Sequence, residues 1–369
     1  MPLSSIQPER YEELLSEKVA TVTELFEGLS IPEPAVYPSV ETGFRMRAEF
    51  RVWHEGADVN YVMFRPGQPK DPVVVTHFPI AHDAIQQMMP LLLGALKADP
   101  ELRRKLFQVE FLSTLAGQAL ITLIYHRRLD ELWEAQAVSL QDEFEINFPG
   151  LSIVGRSRKQ KIILGRNWVE EKLCIAGETF SYRQYEQSFT QPNAQVNQHM
   201  IEWACDKAHA LDGDLLELYC GNGNFTLPLS RHFSNVIATE LSKVSVRAAR
   251  ENIEANSIDN IQIIRLSAEE VTQAMNRQRE FRRLAELNKP LDEYDLRTVF
   301  VDPPRAGLDD KTVSMVSGFE QILYISCNPH TLVENLAVLD STHRISHLAM
   351  FDQFPYTGHM ECGVLLQRR

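Results

Sequence analysis

The sequence predicts an α/β protein: a doubly wound parallel sheet over residues 181–369, an α+β domain over 37–180, and a helical segment over 1–36. Three observations carry this reading. From about residue 190, apolar strand-length runs alternate with amphipathic helix-length runs, the rhythm of a parallel sheet covered by helices. Before that point strand-like runs often follow one another directly, as in α+β domains. Four of the later runs also end in loops of distinctive chemistry, CGNGN, TELS, DPPR and CNP, at the strand ends where doubly wound sheets bind ligands.

In chain order, residues 8–29 bring Tyr11, Leu14, Leu15, Val19, Val22, Leu25 and Phe26 to helical spacing, and the proline-rich IPEPAVYPS ends that helix. GFRMRAEFRVWHEGADVNYVMF alternates about an EGAD turn and reads as a hairpin. HDAIQQMMPLLLGALKA reads as a helix, FQVEFLST and QALITLIYHR as strands about LAGQ, residues 129–145 as a helix and SIVGRSRKQKIILG as strand. Later, DLLELYC, NVIATEL, IQIIRLSA, TVFVDPP, QILYISC, RISHLAMFDQF and CGVLLQ are the strands. NFTLPLSRHF, KVSVRAARENIEANS and the residues after CNP are helices.

No apolar run reaches membrane-spanning length, and the first residues lack the basic-then-apolar order of a secretory signal, so a cytoplasmic location is expected. The five cysteines form no CxxC pair, which argues against a cysteine-held zinc or iron–sulfur centre; no metal is expected. Cys174, Cys205 and Cys362 read as core, and Cys220 as packing beneath a turn. A net charge of −13, spread over both halves, excludes a general nucleic-acid coat. Any RNA must be held by local patches.

In the loop CGNGN, Gly221 and Gly223 let backbone approach a ligand at a helix N-terminus. The third glycine of the dinucleotide fingerprint is replaced by Thr226, which disfavours a pyrophosphate. Glu240 closes the next strand, 19 positions after Gly221, where a carboxylate takes both hydroxyls of a ribose. A nucleoside-type cofactor follows, against the plainer reading of a tight turn and a solvated glutamate. Asp302-Pro-Pro-Arg305 is a stiffened loop. It resembles the motif that class I methyltransferases place between cofactor and target base, which favours S-adenosylmethionine over NAD.

Cys327 stands at a strand tip, with Asn328 suited to cap a helix and Pro329 to open it. That position predicts an exposed sulfur and a lowered thiol pKa; a buried, inert cysteine is the alternative. A nucleophile narrows the chemistry. Carbon 5 of a pyrimidine attacks poorly until a thiolate has added at carbon 6, and a base must then remove the carbon-5 proton before the thiol leaves. Glu361, set in the apolar run HMECGVLL, is a candidate for that base; an outward-facing strand residue is the other reading of the same position.

ELYCGNGNFTLPL, FVDPPRAGLD, LYISCNP and FDQFPYTGHMECGVLL together resemble the RNA uracil-5-methyltransferases. RMRAEFRVWH, LRRKLFQVEFLSTL, LIYHRRLDELW and SFTQPNAQVNQHMIEWA extend the likeness to the tRNA-acting bacterial branch across nearly the whole chain. The resemblance implies a class I, Rossmann-like catalytic domain that uses S-adenosylmethionine on the T-loop uridine of tRNA, and on T-arm-like stem-loops such as that of tmRNA. It implies that Cys327 is the nucleophile and Glu361 the proton acceptor. Gln191, Tyr219, Asn224, Glu240 and Asp302 match positions that hold the cofactor. Relatives acting on ribosomal RNA carry an extra N-terminal barrel and a cysteine-ligated cluster; this chain has neither, which favours tRNA.

Local basic patches lie before residue 180. Arg156, Arg158, Lys159, Lys161 and Arg166 cluster without an acid, Arg45, Arg47 and Arg51 alternate, and Arg103, Arg104 and Lys105 precede Phe107. His126, Arg127 and Arg128 follow an apolar strand. Rings beside cations are what unstacked bases use. By resemblance Phe107 and His126 would meet the T-arm, with Phe189 and Arg305 near the target base; a core role for Phe107 is the alternative. No obligate protein partner is evident. Two rival functions remain: an RNA cytosine-5 methyltransferase, which DPPR disfavours because such enzymes place a cysteine in that loop, and a non-catalytic protein that binds the T-arm and helps tRNA fold.

Overall fold

The computed structural model describes residues 5–369 apart from Ala57 and Pro66. The chain divides into two compact units. Residues 40–172 and 183–194, with those up to Glu9, form the first; residues 10–39, 173–182 and 195–369 form the second. The helix α1 (Tyr11–Glu24) and the short strand β1 (Ala35–Tyr37) come first in the chain and belong to the second unit.

The first unit contains β2 (Arg47–Glu55), β3 (Asp58–Arg65), β4 (Gln68–Val74), α2 (Asp83–Ala98), the single turn α3 (Pro100–Arg103), β5 (Leu106–Ser113), β6 (Ala119–Tyr125), α4 (Glu131–Glu145), β7 (Ser152–Ser157) and β8 (Gln160–Leu164). Its sheet runs β4-β3-β2-β5-β6-β7-β8. Every pairing is antiparallel except β6 with β7, where α4 supplies the crossover that parallel neighbours need. Asp130 caps α4 by accepting from Trp133 N. The Trp133 ring then lies so close over Gly155 that any Cβ there would overlap it, at 2.1 Å. β4 carries Pro72 and sits at the sheet edge, where a missing N–H costs least.

β9 (Trp168–Ile175) and β10 (Glu178–Tyr185) form a separate two-stranded ribbon, in which the chain leaves the first unit and returns to it. The ribbon turns at Ala176 and Gly177, both at positive φ, as a tight hairpin requires. Cys174 corrects an expectation here: it is exposed, not core, because β9 alternates and sends it outward.

The second unit continues with α5 (Ala194–Ala208), β11 (Asp214–Leu218), α6 (Thr226–Leu229), β12 (Val236–Thr239), α7 (Lys243–Ala255), β13 (Ile261–Ile264), α8 (Ala268–Met275), β14 (Leu296–Val301), α9 (Asp310–Val316), β15 (Gln321–Ser326), α10 (Pro329–Leu339), β16 (His343–Phe351) and β17 (Glu361–Arg368). The sheet order is β1-β16-β17-β15-β14-β11-β12-β13. All pairs are parallel except those of β17, which runs antiparallel between β15 and β16. This is the Rossmann-like doubly wound architecture the sequence predicts. β11 and β12 are buried along their whole length, as strands covered on both faces must be. Succession runs outward in both directions from between β11 and β14, so the ligand crevice opens beyond the carboxyl ends of those strands. Val22 of α1 and Phe26 in the turn after it join the apolar cluster of this unit, and β1 extends its sheet beside β16. Among the described residues no helix is long and apolar enough to cross a membrane.

Candidate active site

Strand register assembles the site. Leu218 stands beside Thr239 on one side and Val301 on the other, and Val301 stands beside Tyr324. The next residues, Tyr219, Glu240 and Asp302, therefore leave the sheet along one edge, with Cys327 just beyond the end of β15. β17 runs back along β15 with Ser326 opposite Cys362, so Cys327 follows the last paired residue of β15 and Glu361 precedes its partner on β17, near enough for the Glu361 charge to act on the thiol. The two loops framing Cys327 are also tied together: Asn328 Nδ2 donates to Arg305 O at 2.9 Å, and Asn328 Oδ1 accepts from His330 N at 3.3 Å to cap α10.

The thiol departs from expectation. A helix N-terminus favours thiolate with about half a unit of positive charge. Cys327 is half-buried, and burial pushes its pKa up to about 11; Glu361 and Asp302 add to the rise and Arg305 opposes it. Lost hydration and two acids outweigh the helix end, so the residue rests as a thiol. Glu361 is only 3% exposed, which removes the outward-facing reading. Burial first, then Asp302, hold its carboxyl well above the usual range.

Beneath the glycine turn lies Glu217, to which sequence reasoning gave no role, although an acid inside the run DLLEL is a visible signal. It is buried, and burial followed by the nearby Asp302 charge raises it to about 8. Its Oε2 and the Thr226 hydroxyl lie close to one another and have no other hydrogen-bond partner among the described residues. Burial raises Asp302 to about 7. Glu240 accepts from Gly221 N at 3.1 Å and Ser242 N at 2.7 Å, which leaves one lone pair on each oxygen. Asn224 and Asn197 exchange two amide hydrogen bonds of 2.8 and 2.9 Å, and Tyr182 Oη donates to Asn224 O. Tyr219 sits at φ 61°, a strained left-handed position for a side chain of its size, which turns the chain sharply at the crevice.

These features fit S-adenosylmethionine. Glu240 can accept ribose hydroxyls, and Asp302, charged above about pH 7, would repel a pyrophosphate and attract a molecule with a sulfonium and an ammonium. A pH dependence follows. Below about pH 7 Asp302 is neutral and attracts a cation weakly; above it the carboxylate is charged. Cofactor affinity measured by titration calorimetry is therefore expected to rise between pH 6 and 8. Folding stability should move the other way. The folded pKa values of Asp302 and Glu217 lie above their unfolded ones, so their contribution is full below about pH 4, falls as pH rises from there, and is gone above their folded values of about 7 and about 8. Urea melts across that range check the sign.

The remaining sequence-predicted residues fall on both units. Arg305 lies in the second, exposed, with its guanidinium 3.0 Å from His359 Nδ1. Phe107, His126, Phe189 and Gln191 belong to the first. Phe107 is partly exposed and not core; its ring stacks on His126 at 4.0 Å, and the Arg51 guanidinium lies 3.7 Å from its centre. Beside His126 a cavity of about 840 Å³ is lined by Arg127, Arg128, Arg156, Arg158 and Lys159. Arg128, Arg158 and Lys159 are exposed and make no ion pair among the described residues. Phe189 is 76% exposed, an unusual state for a phenylalanine. Among the described residues no group of three or more His, Cys, Asp or Glu could hold a metal.

Residues 10–369 match the model of the tRNA (uracil-5-)-methyltransferase family. The chain is 53% identical over 369 residues to the tRNA/tmRNA (uracil-C(5))-methyltransferase of Vibrio parahaemolyticus, covering 100% of both. It is 51% identical to the protein of that name from Aromatoleum aromaticum, over 100% of this chain and 98% of the other. The crystal structure of the Pyrococcus abyssi tRNA (uracil-54, C5)-methyltransferase in complex with S-adenosyl-L-homocysteine shares the fold. It aligns with a TM-score of 0.71 at 20% identity, over 96% of this chain and 83% of that one. With agreement running from end to end, the chain belongs to the tRNA (uracil-5-)-methyltransferase family.

Proposed function

We propose that the protein transfers a methyl group from S-adenosylmethionine to carbon 5 of the T-loop uridine of tRNA, and of T-arm-like stem-loops such as that of tmRNA. The observation that carries this is Cys327, just past the end of β15, lying within electrostatic reach of the buried Glu361 that opens β17. An amino-nitrogen methyltransferase needs neither group; a pyrimidine carbon needs both. The cofactor supplies an electrophilic methyl group, and Tyr219, Asn224, Glu240 and Asp302, with Gln191, hold it. Cys327 passes its proton to solvent and its Sγ bonds to carbon 6 of the base, while the pair of the carbon 5–carbon 6 double bond moves onto carbon 5 and oxygen 4 as an enolate, which makes carbon 5 the nucleophile. Once carbon 5 carries the methyl group, Glu361 takes the carbon-5 proton and the bond to Sγ breaks, restoring the ring.

In this reading residues 37–180 grip RNA, residues 181–369 do the chemistry, and the reaction takes place in the cytoplasm. Flipping the target base out is least costly in a loop. Phe107 and His126 offer a stacking face with Arg51 behind it, and Arg128, Arg158 and Lys159 offer charge to phosphate. Phe189 and Arg305 attend the flipped base. Phe107→Ala is expected to raise KM for tRNA by roughly 5- to 100-fold, the loss of one stacked base, with kcat near wild type. Steady-state kinetics with an unmodified transcript measures it.

The reaction is tested by incubating unmodified tRNA with the protein and S-adenosylmethionine and mapping modified nucleosides by mass spectrometry. Ribothymidine confined to the T-loop supports the reading. A methyl group on cytosine or on a nitrogen removes it, and no methylation favours a protein that only binds the T-arm.

A further inference from the structure

α1 reaches the segment before β17 through two polar side chains, Lys18 and Tyr11. Lys18 is 9% exposed, and its ammonium makes three hydrogen bonds: to Asp352 Oδ1 at 2.5 Å, Phe354 O at 3.1 Å and His359 O at 3.0 Å. All three of its N–H groups are used. The other Asp352 oxygen accepts from Tyr11 Oη at 2.8 Å, and Asp352 N donates to Tyr37 O at 3.0 Å. These bonds bracket residues 352–360, the segment joining β16 to β17. It includes Tyr356 at φ 63° and His359, whose ring contacts Arg305, and it runs through the buried Met360 straight into Glu361.

Docking a helix does not require this. Val22 and Phe26 already bury apolar surface, and an ammonium at Lys18 must lose hydration that a methionine would not. A cation retained under such a cost does something an apolar side chain cannot: it fixes two backbone carbonyls near the two ends of one segment. We propose that Lys18 is a positioning residue for methyl transfer, holding residues 352–360 so that Glu361 stays within electrostatic reach of Cys327 and His359 meets the Arg305 guanidinium. This rests on the functional reading above. The N-terminal helix is then a working part of the catalytic centre, at a distance of more than three hundred residues along the chain.

Lys18→Met alone leaves the Asp352 carboxylate buried without its cation and is expected to be unstable. The paired variant Lys18→Met with Asp352→Asn removes both charges. In the full chain this pair is expected to lower kcat roughly 10- to 100-fold, as sub-ångström misplacement of a catalytic group does, with KM for tRNA and for S-adenosylmethionine within about 3-fold of wild type. A folded paired variant with wild-type kcat overturns the proposal. So does a kcat that falls only in proportion to the unfolded fraction seen by circular dichroism. If the wild-type protein itself transfers no methyl group to uridine, the functional reading falls and the role of Lys18 with it; if wild type and variant are equally active, only Lys18 is released.

Discussion

Cys327→Ala is expected to abolish methyl transfer to uridine, by at least roughly 10⁴-fold, while tRNA affinity stays within about 3-fold of wild type. Removing the sulfur takes away the atom proposed to add to the pyrimidine ring, and carbon 5 without that addition is a poor nucleophile. The same substitution leaves the first unit, with Phe107 and His126, untouched. Filter binding and single-turnover methylation on one preparation separate the two quantities. A variant that still methylates at near wild-type rate would remove covalent catalysis through this residue. A variant that loses binding and chemistry together would mean that Cys327 serves the fold.

Glu361→Gln is expected to lower turnover by about 10²- to 10⁴-fold and to trap the protein on its substrate. Methyl transfer precedes the step that needs the base, so the adduct should carry the new methyl group and survive a denaturing gel. Its mass should equal protein plus RNA plus one methyl. The substitution has a second consequence with a sign that can be worked out. Glu361 is one of the groups raising the Cys327 thiol pKa, so an uncharged amide there lets the thiolate form at lower pH. Adduct formation in the variant should therefore reach its plateau at a lower pH than the first chemical step of the wild type. Normal turnover with no adduct would take Glu361 out of the mechanism.

The cofactor crevice was legible because it is built locally. Each of the loops after DLLEL, VIAT and TVFV follows a strand of four to six residues, and alternating strands and helices send those loops to one edge of the sheet. Gly221, Glu240 and Asp302 could be assigned to that edge without any tertiary information. The proposed catalytic pair could not. Cys327 and Glu361 meet only because β17 enters between β15 and β16, and strand order in the last third of a sheet is decided by packing that no short window contains. The error over the thiol has the same origin. Position at a helix end is readable along the chain, whereas the burial that dominates the thiol, and the acids that add to it from the end of β14 and from β17, are set by packing. β1 and β4 escaped notice because they are edge strands, one in a proline-rich stretch and one containing Pro72. Tyr219 and Gln191 were reached only through family likeness, since a tyrosine at a strand tip and a glutamine before a proline carry no distinguishing pattern.

The ladder between β15 and β17 also limits how this site can change. Register moves in whole residues. A slip of one position would put Met360 or Cys362 in the place of Glu361 and would turn every side chain of the strand to the other face. Register at the proposed base therefore has no intermediate settings in sequence space. Insertions in residues 352–360 act on the tether that Lys18 contacts, whereas a single insertion within the paired part of β17 shifts Glu361 out of register. Homologues that vary in length should vary in the tether and keep the spacing of the strand.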